Sequence, residues 1–409
     1  MELKGNCLVA QSGGPTAVIN SSAYGVIKKF YELNDEYKIY AGIYGIQGIM
    51  NEKIKDLSCC DRKYFENLLY MPSAAFGSCR YKLKDAKDSE EEYKKIFKAF
   101  NKYDIKYFFY IGGNDSMDTA FKLSKYAEEN NFDISIIGIP KTIDNDLVVT
   151  DHCPGYGSAA KYLVNSAAEL WMDINVYDSS SIMVMETMGR DTGWLAASTG
   201  LIKKFIPDVN QLIYIPEMVF DEEKFLRNVS QALKVNRKLL VVTSEGLKDK
   251  NGDYINTDSG LYSRDAFGHK QLGGVGRYLQ SCIKNNVDKN VKMTEMGVPQ
   301  RCAAHLASKT DVYEAISAGE KAVELGIKGE KDCMVYFKRE SNSPYKISIE
   351  KVSLKEVCNK VKHVPINYIN EDETGVTKEM MDYVEPLIKG KLEAVDNSLL
   401  YNYIDFKSI

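Results

Sequence analysis

Short apolar runs ending in glycine-rich or aspartate-rich turns alternate along this chain with helical patterns, and that alternation permits few folds. A buried strand that feeds a crossover helix and then another strand builds a parallel sheet covered on both faces. Asn6 to Gln11 reads as a first strand, running into Ser12-Gly13-Gly14-Pro15 and a helix from about Thr16 to Glu32. Ile105 to Ile111 reads as another, followed by Gly112-Gly113-Asn114-Asp115-Ser116 and a helix to about Glu129. Ile134 to Ile139 is a third and leads into Pro140-Lys141-Thr142-Ile143-Asp144-Asn145-Asp146. A second block follows, with a helix over Ser158 to Met172 and a strand over Ser181 to Glu186. After Met188-Gly189-Arg190 comes a helix through Trp194, then strands at Leu212 to Ile215, Leu239 to Thr243 and Val291 to Met296. Glu314 to Leu325 has a helical apolar side, and the tail from about Met380 starts as helix. In such sheets ligands sit beyond the carboxyl ends of the strands, where these glycine-rich and aspartate-rich segments fall.

At 409 residues the chain is long enough for two or three cores. It shows no repeat, no low-complexity segment and no linker. Two intertwined α/β domains with mainly parallel sheets are therefore expected. With 53 basic and 57 acidic residues and no basic block, nothing marks a nucleic-acid or membrane-surface binder. The longest apolar runs are too short to span a bilayer. The opening MELKGNCLVAQSGG is too polar for a signal peptide. Nine cysteines without a CxxC pair, and four scattered histidines, read as reduced thiols with no zinc site. The class expected is a cytoplasmic α/β enzyme.

Gly13-Gly14 and Gly112-Gly113 each bring bare backbone amides to a helix start, a good place for phosphate. A tight turn without a ligand is the plain alternative. No GxxxxGK[ST] occurs, so an ordinary P-loop is excluded. Gly155-Tyr156-Gly157 with Ala160 imitates a dinucleotide fingerprint, but Asp-His-Cys-Pro precedes it instead of a strand, so it reads as a helix start. Lys141 to Asp146 is the sharpest feature. Asp144 and Asp146 can be an Asx turn and a helix cap. Equally, one carboxylate can take a proton from an attacking hydroxyl while another polar group holds a metal, as phosphoryl transfer requires.

Taken in order, SGGP, GGNDS, PKTIDND, METMGR, SEG and PQR resemble the phosphofructokinase family over residues 12 to 301. The resemblance implies a magnesium-dependent phosphotransferase acting on fructose 6-phosphate, with Asp144 as general base. It places Thr142, Ile143, Met188 and Gly189 along the sugar, and Arg190 near both sugar and transferring phosphoryl. Glu245 is implied to bind sugar hydroxyls and Arg301 the 6-phosphate, for which a planar guanidinium fork is well shaped. Gly13, Gly14, Arg80, Gly113, Asp115 and Ser116 are implied at the donor, with Asn114 and Asp146 as candidate metal ligands. The resemblance further implies three-layer domains with the active site in the cleft between them: a donor domain of residues 1–150 plus about 301–360 and a sugar-phosphate domain of 151–300 plus about 361–409.

The departures carry information. ATP-using members commonly have GGDGS and PGTIDND where this chain has Gly112-Gly113-Asn114-Asp115-Ser116 and Pro140-Lys141-Thr142. The added carboxylate of Asp115 and ammonium of Lys141 resemble the pyrophosphate-dependent branch. Asp115 is expected to exclude ATP; the plain alternative is that it caps the following helix. Asn114 brings magnesium no charge. Val298 replaces a frequent sugar-phosphate contact. Lys292 stands where an arginine reaches across from a neighbouring subunit, which implies a homo-oligomer, dimer or tetramer. The expected reaction uses pyrophosphate, with Lys141, Asp144 and Arg190 catalytic; the alternatives are the ATP-dependent reaction and a catalytically silent sugar-phosphate sensor.

Overall fold

Residues 4–33, 36–255, 274–393, 405 and 407 are described by a computed structural model. The chain opens with β1 (Asn6–Gln11), α1 (Ile19–Leu33), β2 (Ile39–Gly42), α2 (Gly45–Met50) and β3 (Ile54–Asp56). It continues through α3 (Glu90–Lys102), β4 (Ile105–Gly112), α4 (Asn114–Glu129) and β5 (Ser135–Pro140). A second group holds α5 (Tyr156–Ile174), β6 (Ser181–Thr187), α6 (Trp194–Ser198), β7 (Gln211–Tyr214) and α7 (Glu222–Val235). To it belong also β8 (Lys238–Ser244), α8 (Val275–Asn286), β9 (Val291–Glu295) and α9 (Pro299–Cys302). Then come α10 (Lys309–Ile327), β10 (Cys333–Asn342), β11 (Tyr345–Ser353), α11 (Leu354–Val357) and α12 (Lys378–Val384).

Two sheets result. The first has the order β11-β10-β5-β4-β1-β2-β3, parallel except at its antiparallel edge strands β3 and β11. The second, β7-β8-β6-β9, is parallel throughout. Strand periodicity sorts the side chains onto two faces. Cys7, Val9, Tyr107, Phe109 and Ile111 meet α1 and α10, while Leu8, Ala10, Phe108 and Tyr110 meet α3 and α4. In the second sheet Met183, Met185, Leu240 and Val242 face α5, and Ile182, Val184, Leu239 and Val241 face α7 and α8. Each sheet is thus the middle of three layers. Among the described residues no helix is long and apolar enough to cross a membrane.

The chain passes between the lobes three times. After the second sheet, α10 returns to pack on α1, backbone against backbone. A Cβ on Gly25 would lie 2.1 Å from the Ile316 carbonyl oxygen, and one on Gly319 2.2 Å from that of Ser22. Residues Val364, Ile369, Met380 and Val384 then join the core of the second lobe. The tail beyond residue 393 lies outside the described residues, apart from 405 and 407.

Some boundaries differ from sequence expectation for local reasons. The first helix starts at Ile19, because the Thr16 hydroxyl accepts the Val18 N–H at 3.2 Å and holds a turn there. Helix α10 begins at Lys309, with the Ser308 hydroxyl capping the Asp311 amide. The hairpin β10–β11 was not visible as strands, since its outer half alternates partly covered and exposed positions instead of forming an apolar run.

Behind the segment that follows β5 lies a buried ionic cluster. His152 Nδ1 is 2.8 Å from Asp151 and its Nε2 2.7 Å from Glu314. Arg339 Nε also reaches Asp151, at 2.9 Å, and the Tyr345 hydroxyl donates to Glu314 at 2.6 Å. Burial opposes the charge on His152, but Glu314 and Asp151 outweigh it and raise its pKa to about 9. A raised folded-state pKa contributes stability that is complete below about 6.5 and lost as pH rises through about 9. We therefore expect the melting temperature to fall across that window, and to fall less steeply in His152→Gln. Equal slopes in the two proteins would show that the imidazole is not held charged.

Candidate active site

The carboxyl ends of both sheets point into one cleft of about 890 Å³. Strand β1 delivers Gly13 and Gly14, β4 delivers Gly113 to Ser116, and β5 delivers Lys141 to Asp144 with Asp146. From the opposite lobe β6 brings Met188 and Arg190, β8 brings Glu245, and the turn after β9 brings Gly297, Val298 and Arg301. In the first sheet β2 and β4 flank β1 on opposite sides, so the chain order reverses at the β1/β4 pair. Parallel sheets bind ligands at such a crevice.

One side of the cleft is built for an anion. Gly13 takes φ +76°, and a Cβ there would stand 3.2 Å from Lys141 Nζ. The Lys141 ammonium is 3% exposed and donates to the Gly14 carbonyl at 2.6 Å. A Cβ on Gly14 would lie 3.6 Å from Arg301 Nη1 and 3.9 Å from Arg80 Nη2. Three cations therefore surround a bare glycine. Burial lowers the Lys141 pKa to about 8; burial and the neighbouring Arg80 also lower that of Arg301. Arg301 Nε is buried without a hydrogen-bond partner among the described residues. Like charges held this close, with the buried Arg301 Nε unused, are suited to phosphate oxygens.

Helix α4 starts at the same place. Gly113 is its N-cap and no side chain caps it, so Asp115 sits in the first turn, in the cleft lining, and is not the cap. Ser116 is buried beside it. Asn114 is otherwise engaged. Its Oδ1 accepts the Asn359 N–H at 2.6 Å, and its amide group donates to the Lys360 carbonyl. The candidate metal ligand thus spends its side chain on a neighbouring chain segment.

The other side carries the carboxylates. The Asp144 N–H donates to the Thr142 hydroxyl at 3.0 Å, and its carbonyl accepts from Thr192 at 3.2 Å, which fixes the turn. Burial, then the like charge of Asp146, push the Asp144 carboxyl well above the usual carboxylate range; Arg190 and Lys141 oppose this. Burial also raises Asp146, against hydrogen bonds that include the Thr142 hydroxyl. Glu245 is pushed up to about 7 by burial and by Asp144, while accepting the Gly189 N–H at 3.3 Å. Gly189 is outside the cleft lining and is joined to it through this bond. Its φ of +125° and a Cβ position 2.5 Å from the Thr192 carbonyl oxygen leave room only for glycine. Arg190 is half-buried and tethered to Asp191 at 3.1 Å. Ile143 reaches the cleft from the apolar core of the second lobe, and the Met188 N–H donates to Gln300 at 3.1 Å.

Lys292 is set apart from this assembly. It projects from β9 beside Asp173, at 3.9 Å, and does not line the cleft. Lys82, Asp191, Glu295, Asn359 and Val361 line it without having been singled out from the sequence. Among the described residues no group of three or more His, Cys, Asp or Glu could hold a metal. Asp146, together with the phosphate oxygens that a substrate brings, nevertheless makes a hard-oxygen donor set in the cleft. That donor set fits magnesium, a hard ion that keeps its waters and shares phosphate oxygens with a substrate.

Comparison with known proteins agrees with this geometry. The Phosphofructokinase family model matches residues 6–326. A Halomonas elongata protein named pyrophosphate--fructose 6-phosphate 1-phosphotransferase is 41% identical over 94% of this chain and 92% of its own. A Xanthomonas campestris protein of the same name is 39% identical over 99% of this chain and 97% of its own. The crystal structure of a pyrophosphate-dependent phosphofructokinase from Nitrosospira multiformis superposes with a TM-score of 0.89 at 37% identity, covering 99% of this chain and 97% of that one. With its two mainly parallel sheets opening on a shared cleft lined by cations and carboxylates, this chain belongs to the phosphofructokinase family.

Proposed function

We propose that the cleft transfers a phosphoryl group from pyrophosphate to the C1 hydroxyl of fructose 6-phosphate, releasing fructose 1,6-bisphosphate and phosphate. The observation that carries this reading is the buried Lys141 ammonium, placed between the Gly14 cradle and the Asp144 carboxylate. The names of the similar proteins support it. Asp144 accepts the C1 hydroxyl proton as that oxygen bonds to the terminal phosphorus and the bridging P–O bond breaks. Pyrophosphate has no nucleoside to anchor it, so its orientation depends on charge. Lys141 offsets the charge growing on the leaving phosphate, and Arg190 that on the transferring group.

The first lobe supplies the donor site through Gly13, Gly14, Arg80, Gly113, Asp115 and Ser116. The second supplies the sugar site through Met188, Glu245 and Arg301, with Thr142 and Ile143 between them. The Arg301 guanidinium beside Gly14 also faces the donor cradle. Magnesium would be held by Asp146 with phosphate oxygens and water, and when bound it neutralises charge on the phosphates. The working form is a homo-oligomer, dimer or tetramer, in the cytoplasm. There Lys292, half-exposed and remote from its own cleft, reaches the sugar site of the next copy.

A coupled assay with pyrophosphate and ATP side by side tests the reaction; turnover with ATP alone, or with neither, rejects it. Asp144→Asn should lower kcat by about 10² to 10⁴ while sugar-phosphate binding survives. Retention of about half the wild-type kcat would remove Asp144 as the base.

The Lys141 ammonium should set a basic limb in kcat/KM. Activity falls as pH rises through about 8, because the charge that offsets the leaving group is lost there. Lys141→Met should abolish that limb and reduce kcat strongly with little change in sugar KM. A limb that persists in the variant belongs to another group.

Asp115 should exclude ATP by repelling a further phosphate. Like charges about 4 Å apart repel by roughly 4 kcal/mol at an effective dielectric near 20. Asp115→Gly should therefore raise ATP use as pyrophosphate use falls. Unchanged kinetics with both donors would contradict this role.

A further inference from the structure

We propose that the segment Asn359–Val361 limits the length of the phosphoryl donor by closing the end of the cleft beyond the pyrophosphate cradle. The inference rests on the donor reading above, and adds to Asp115 a second barrier that acts by volume.

Asn359 and Val361 come from beyond α11, more than two hundred residues after α4, yet they line the cleft alongside Gly113, Asn114 and Asp115. The segment is fastened at both ends. At the α4 end the Asn114 side chain takes the Asn359 N–H at 2.6 Å and donates to the Lys360 carbonyl. Asn359 Nδ2 donates to Asp118 Oδ1 at 2.9 Å, and Asp118 is paired with Lys122 at 2.7 Å. At the other end the Lys362 N–H donates to the Asp146 carbonyl at 2.8 Å, and the Lys362 carbonyl accepts from Trp194 Nε1 at 2.9 Å. The buried Lys362 ammonium donates to the carbonyls of Asp151 at 2.8 Å and Thr150 at 3.1 Å. A segment tied this often cannot swing aside cheaply, since moving it would break all of these hydrogen bonds together.

Its inner surface does not suit phosphate. Val361 is 42% exposed, an apolar side chain on the wall of a charged cleft, and would strip water from an anion pressed against it without replacing a hydrogen bond. Asn359 holds φ +59°, a left-handed conformation maintained by its bonds to Asn114 and Asp118. A chain of phosphates longer than the cradle passes Asp115 first and then meets this wall. Removing the charge at position 115 leaves the wall standing.

The test uses Asn359→Gly and Val361→Ala, separately and combined, in the full chain. Glycine adopts φ +59° without strain, so Asn359→Gly removes the side chain and loosens the fastening while keeping the turn. Fructose 6-phosphate turnover is measured with pyrophosphate, inorganic tripolyphosphate and ATP. The ratio of kcat/KM for tripolyphosphate over pyrophosphate should rise by about tenfold or more in the combined variant, equivalent to about 1.4 kcal/mol. Sugar KM should stay unchanged. Adding Asp115→Gly should raise ATP use beyond what either change achieves alone. A ratio within about twofold of wild type, in variants that still turn over pyrophosphate, rejects the wall and leaves the donor reading intact. Loss of pyrophosphate turnover in both single variants at unchanged melting temperature also rejects it, because the segment would then hold the donor. Wild-type turnover with ATP and none with pyrophosphate rejects the donor reading and the wall together.

Discussion

Placing one buried ammonium and two partly buried carboxylates within six residues, Lys141 to Asp146, is the constraint around which both lobes are arranged. Burying an ion costs several kcal/mol unless partners are held in position. Here the partners come partly from the segment and partly from far outside it: the Gly14 carbonyl for Lys141, Arg190 and Lys141 for Asp144, and Thr142 and Lys362 for Asp146. The residue between the two carboxylates is the anchor. Asn145 is fully buried at φ +55°; it donates to the Tyr383 hydroxyl at 2.8 Å and accepts the Cys153 N–H at 3.0 Å. Its side chain turns inward so that Asp144 and Asp146 can turn outward.

That arrangement explains the repeated crossing of the chain. Tyr383 belongs to α12 in the second lobe and Arg339 to β10 in the first, and the Arg339 guanidinium lies 4.5 Å from the Tyr383 ring. Lys362, on the last crossing, packs 5.1 Å from the Trp194 ring and reaches the Asp151 carbonyl. A site made from the ends of two separate sheets keeps its geometry only if the lobes are tied behind it. The returning segments supply those ties, and the ionic cluster of His152 with Asp151 and Glu314 sits among them.

Much of this was readable before any coordinates. Strand β1 was expected at its observed limits, and β4, β5 and β6 within one residue at either end, because strands buried on both faces leave uninterrupted apolar runs. The turns after them stood out since glycine and aspartate are conspicuous beside such runs. The wall formed by Asn359 and Val361 left no comparable trace. Its residues are ordinary, its neighbours are polar, and its place in the cleft depends on bonds to positions far away in sequence. For the same reason Asn114 stands among the ligand candidates by position alone, while its side chain is bonded to Asn359 and Lys360.

The sequence by itself determined the alternation of strands and helices, and which short segments carry chemistry. Both follow from local patterns: apolar periodicity within a few residues, and unusual polar groups at strand ends. Only the tertiary structure decided how those segments meet. It set Lys141 against Gly14, put Asp115 inside the first turn of α4 instead of at its cap, left Lys292 outside its own cleft, and brought Asn359 to Asn114. Those outcomes depend on contacts between residues distant along the chain, whose energies no local pattern encodes.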